Sequence, residues 1–92
     1  MHHLGSRTGT GILFDRSGHE LGAAAFSLDV FEHRGLRDGK GTLTASAETL
    51  AKVFGKDGVR LQYGEGLEFR LVVDHMGSGA ATFKTSGPIP GF

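Results

Sequence analysis

Sixteen glycines punctuate this 92-residue chain, standing between short runs in which apolar and polar residues alternate. Glycine takes up positive φ without a steric penalty, so its recurrence at the ends of runs marks tight turns. Alternation with a period of two marks a half-buried β-strand. Leu67, Phe69, Leu71 and Val73 alternate with Glu68, Arg70 and Asp74. Ala24, Phe26, Leu28 and Val30 share one face of another run, with Ser27 and Asp29 on the other. Together the two signals predict an all-β domain of short antiparallel strands.

The same reading predicts strands over 10–15, 20–33, 41–44, 59–63, 67–74 and 81–85. Asp15-Arg16-Ser17-Gly18 reads as a hairpin turn, and Gly22 with its neighbouring alanines predicts a bend or bulge early in the second strand. Arg34 to Lys40 reads as a charged, glycine-punctuated connection. One helix is predicted, over 47–54. Ser46 is its N-cap, Glu48 lies near the positive end of its dipole, and Ala47, Leu50, Ala51 and Phe54 fall at helical spacing before Gly55. So short a helix is unstable alone and must lie on the sheet or plug a barrel end. The order is β-β-β-α-β-β-β, two three-stranded meanders joined by a helix. It predicts a small six-stranded antiparallel barrel or sandwich, and closure into a barrel would remove exposed edges. The expected organisation is a flexible N-terminal segment over 1–8, one domain over 9–87, and an extended tail over 88–92.

Composition narrows the chemistry. The chain has no cysteine, which excludes disulfides, thiolate metal sites and a Cys nucleophile. Ten basic and ten acidic residues cancel, whereas a duplex-binding domain shows a basic excess, so nucleic acid is not the expected partner. No run approaches the ~18 apolar residues of a membrane span, and the first residues lack the apolar stretch of a signal peptide. A cytoplasmic location with no membrane partner is the expectation. Seven Phe, with Leu and Val, must supply the core.

Three of the five histidines adjoin a carboxylate, in His19-Glu20, Glu32-His33 and Asp74-His75. Such pairs suit a divalent metal or a general base, but neighbours on a strand point to opposite faces and chelate poorly. His33 and His75 both end strands, so His33, Asp74 and His75 form a candidate metal site with possible hydrolytic activity. Gly35 to Thr42 superficially follows a phosphate-binding loop. Three residues rather than four precede Gly39-Lys40, Gly41 stands in the Ser/Thr place, and a strand follows where a helix is needed. Ser17 with His19, or Ser78 with His75, lacks the strand-to-helix elbow of a hydrolase nucleophile. Arg34, Arg37 and Lys40, flanked by Phe31, form a candidate single-stranded nucleic-acid contact of the stacking-plus-phosphate kind, diluted by Glu32 and Asp38.

The chain ends Pro-Ile-Pro-Gly-Phe, where termini are usually polar and frayed. Either Ile89 and Phe92 pack back over the barrel, or they enter a neighbouring subunit or a partner. Phe31 falls outside the inward register of its strand, so Phe31, Ile89 and Phe92 form a candidate apolar contact patch. The functional expectation is a non-enzymatic barrel that binds or assembles through protein contacts, with a protein partner or a second copy and no cofactor. The fold alone does not choose among activities.

Overall fold

Alternating apolar residues bury one face of each strand, and a short sheet buries that face best by curling onto itself. A computed structural model describes all 92 residues. The elements are β1 (His2–Phe14), β2 (Glu20–His33), β3 (Leu36–Thr44), α1 (Ala47–Val53), β4 (Val59–Tyr63), β5 (Leu67–Met76) and β6 (Ala80–Ser86). The strands hydrogen-bond in the order β1-β2-β3-β6-β5-β4 and close into a barrel. All six neighbouring pairs are antiparallel. The predicted element order is therefore the observed one, with the barrel in place of the sandwich. The cyclic order maps β1–β3 onto β4–β6, so the two meanders occupy equivalent places.

Leu13, Ala24, Phe26, Leu28, Val30, Leu43, Val59, Leu61, Phe69, Leu71, Val73 and Phe83 fill the interior. Phe69 lies at the centre of an aromatic cluster, with ring centroids 5.5 Å from Phe26, 5.7 Å from Tyr63 and 5.8 Å from Phe83. Helix α1 packs against β2 and β5 with Leu50 and Val53 buried. Ser46 caps it as predicted, its hydroxyl accepting from the Thr49 N–H at 3.1 Å. The predicted bulge is present. Register slips between Leu13↔Gly22 and Phe14↔Glu20, leaving Leu21 without a partner. Gly22 has φ 144°, and a Cβ there would run into the Thr49 side chain of the helix, so only glycine suits this crossing.

Two strands are longer than their sequence suggests. Residues 2–8, expected to be a flexible terminus, belong to β1, and β3 starts at Leu36 rather than Gly41. The reason is the same in both. The inward positions of β1 are Gly5, Arg7, Gly9 and Gly11, opposite Val30, Leu28, Phe26 and Ala24 of β2. Those of β3 include Gly39 and Gly41, opposite Val30 and Leu28. Glycine breaks the apolar alternation, yet β2 carries enough apolar side chain for both neighbours. Gly9 leaves the space that the Phe26 ring uses, since a Cβ there would lie 3.3 Å from it.

Candidate functional site

β1 and β2 run to 13 and 14 residues, whereas β4 has only five. β1 consequently pairs with β4 over Gly11–Phe14 alone, while its pairing with β2 continues to His2. From His2 to Thr10 the strand has a neighbour on one side only. Closure of the barrel thus leaves this edge open, together with a shorter one over Leu36–Gly39 of β3, which pairs with β2 alone. The overhang is anchored from its outer face. The Ser6 hydroxyl donates to Asp29 Oδ1 at 2.6 Å, and His3 Nε2 lies 3.3 Å from the same oxygen. The Ser6 hydrogen bond, then that of His3, holds the Asp29 carboxyl below its ordinary pKa. Thr8 and Thr10 are exposed on this face.

The C-terminal tail lies on the inner face of the overhang. Ile89 is 7% exposed and belongs to the core. Phe92 is half-buried above Gly5, with the Arg7 guanidinium 4.8 Å from its ring centroid. Arg37 donates from Nη1 to the Phe92 carbonyl oxygen and pairs with Glu32 at 3.8 Å. The apolar patch expected of Phe31, Ile89 and Phe92 therefore does not form. Ile89 is inside, Phe92 sits on the inward side of β1, and Phe31 lies on the outer side of β2. There Phe31 is half-buried, 5.2 Å from the His3 ring and 5.1 Å beneath Lys40 Nζ.

The expected basic loop of Arg34, Arg37 and Lys40 is also dispersed. Arg34 (φ 52°) and Gly35 (φ 79°) make a tight two-residue turn, the left-handed geometry hairpins favour. The residues that follow are strand. Arg37 and Lys40, an odd number of residues apart, point to opposite faces, Arg37 toward the tail and Lys40 over Phe31.

His33 does not meet Asp74 and His75. Register places His75 in the row of Thr82, Thr42 and Ser27. At ~3.3 Å per residue, His33 lies ~20 Å further along β2 than Ser27. His33 and His75 end their strands at opposite ends of the barrel, and no group of three His, Asp or Glu side chains converges as a metal site. Asp74 occupies a bulge in β5 and accepts from the Thr82 hydroxyl at 2.6 Å, which is the main cause of its lowered pKa, followed by His75. Asp15 accepts the backbone N–H groups of Ser17 and His19 at 2.9 Å each, the work of a turn residue.

A cluster that the linear sequence hides stands on the outer wall. Arg16, Arg60 and Arg70 line one cleft with Gly58. Arg16 comes from the β1–β2 turn and the other two from β4 and β5. The readable signal was the hairpin register: a turn over Gly64 to Gly66 sets Tyr63 opposite Leu67, and hence Arg60 opposite Arg70. Comparison of the chain with protein-family models, with curated proteins and with solved structures gives no match.

Proposed function

We propose that this barrel is an assembly module that pairs its open β1 edge with an added strand, the strand being β1 of a second copy. The observation that carries the reading is the one-sided pairing of His2–Thr10. A strand edge offers a row of unpaired N–H and C=O groups that template another strand. Natural edges are usually guarded by Lys, Pro, inward charges or a covering segment. Of these devices the segment His2–Thr10 carries one, the inward charge of Arg7, which is held over the Phe92 ring; it has no Lys, Pro, Asp or Glu. None of the backbone hydrogen bonds outside the strand ladders reaches residues 2–10. Antiparallel pairing of an edge with itself is self-complementary and closes as a two-fold dimer.

Light scattering across protein concentration tests this. The unaltered chain is expected to be a dimer. A Thr8→Lys, Thr10→Lys variant brings like charges together across a two-fold strand pair and is expected to be a monomer, with a melting temperature close to that of the diluted, dissociated parent because both side chains are exposed. A monomeric parent at every concentration, or a variant that dimerises equally well, contradicts the reading.

A further inference from the structure

We infer that the cleft between Arg16, Arg60 and Arg70 binds a phosphoryl group. Arg60 and Arg70 are direct cross-strand partners on the outer face of the β4–β5 hairpin. Like charges at such positions destabilise a sheet unless something lies between them. The surroundings neutralise them only partly. Glu68 Oε2 lies 3.8 Å from Arg60 Nη1, and neither Arg16 nor Arg70 has an ion-pair partner. Asp57 lines the adjoining part of the cleft, giving three cations against two carboxylates.

The third cation lies against the backbone of Gly58. A Cβ at Gly58 would lie 3.1 Å from Arg16 Cβ and 3.4 Å from its Cγ and Nε, so the Arg16 stem lies across Gly58. Arg60 reaches back toward the same turn, with Nη2 3.8 Å from the Cβ position of Gly18. The β1–β2 turn and the β4–β5 hairpin thus bring three guanidinium groups to two adjoining clefts of about 200 and 260 Å³, which share Arg16, Gly58 and Arg70. Ser86, the register partner of Arg70 on β6, adds a hydroxyl to the larger one.

Guanidinium is planar and donates in parallel pairs, which matches the oxygens of phosphate better than a point charge does. A single carboxylate brings two oxygens and one charge, too few for three forks. A phosphoryl group brings three acceptor oxygens and a charge of about −1.5 to −2. Clefts of this size hold a phosphoryl group and little else of the molecule that carries it.

The test is a titration of the full chain with inorganic phosphate, followed through backbone amide shifts at constant ionic strength, with acetate as the comparison anion. Saturable shifts are expected around residues 16–18, 57–60, 69–71 and 86, with acetate at least tenfold weaker. Arg16→Gln removes one fork from an exposed turn, and its amide spectrum elsewhere reports that the barrel is intact. It is expected to weaken phosphate at least tenfold. Arg70→Lys keeps the charge without the fork and is expected to fall between the two. Pyrophosphate tighter than phosphate assigns the cleft to a polyphosphate end, and equal affinities assign it to a single phosphoryl group; both uphold the inference. Shifts that do not saturate, acetate equal to phosphate, or Arg16→Gln titrating like the parent overturns it.

Discussion

The two meanders share a connectivity and differ in what they contribute. β1, β2 and β3 have 13, 14 and 9 residues, against 5, 10 and 7 for β4, β5 and β6. β4 turns Val59 and Leu61 inward, both fully buried, whereas β1 turns Gly5, Arg7, Gly9 and Gly11 inward before reaching Leu13. In the second meander β4 fills its place in the barrel with side chains; in the first, β1 supplies backbone and room, and the core side chains come mostly from β2. That asymmetry lets Phe26 cross Gly9 to meet Tyr63 at 5.1 Å. It also leaves the first meander with more strand than its partner can pair, and the surplus is the open edge.

The largest test of this division is Phe69→Ala. Phe69 comes from the second meander, is 1% exposed, and touches the rings of Phe26, Tyr63 and Phe83. Truncating a buried Phe costs about 3–5 kcal/mol, much of the stability of so small a domain. Denaturant unfolding is expected to show that loss; a change below ~1 kcal/mol would mean that the aromatic cluster around Phe69 does not hold the core.

A paired substitution in β1 separates the closed part of the barrel from the overhang. A Cβ at Gly11 would run into the Gln62 carbonyl oxygen across the β1–β4 seam, a backbone atom that cannot step aside. Gly11→Ala is expected to cost about 1–3 kcal/mol, the usual range for overpacking. A Cβ at Gly5 meets only the edge of the Phe92 ring at 3.1 Å, a side chain near the chain end that is free to shift. Gly5→Ala is expected to stay within ~1 kcal/mol of the parent in the same unfolding experiment. Equal costs at the two sites would erase the distinction.

The smallest effect is acid. Asp29 in the first meander and Asp74 in the second are each held below the ordinary carboxylate range, mainly by a hydroxyl and next by a histidine. A lowered folded-state pKa stabilises the fold when the group is ionised. The contribution is present above the unfolded value of about 4 and is lost as pH falls through the lower folded values. Melting temperature is expected to drop modestly below pH ~4, and by less in Asp29→Asn, because both groups are solvent-screened. Asp29→Asn is further expected to loosen the overhang and leave β5 and β6 unchanged, visible as faster amide exchange confined to residues 2–8.

What could be read from the chain follows side-chain chemistry. β2, α1 and β4 stand where alternation, the Ser46 cap and Gly55 place them. The Gly22 bulge was legible because glycine interrupts an otherwise regular run. The first half of β1 was not, since a strand facing inward with Gly5, Arg7, Gly9 and Gly11 has no pattern of its own and takes its conformation from β2. The apolar patch failed because register settles only which face a side chain takes, and Ile89, beyond the last strand, has no register. Arg16, Arg60 and Arg70 are far apart in sequence, and their convergence needs both the hairpin register and the closure that brings the β1–β2 turn beside it.

Amide hydrogen exchange measured at rising protein concentration decides whether the β1 edge pairs. If the open edge of β1 pairs with that of a second copy, residues 2–10 gain protection as concentration increases, while residues 59–73 keep the protection they have at dilution. Exchange over residues 2–10 that is independent of concentration would show that the edge stays unpaired.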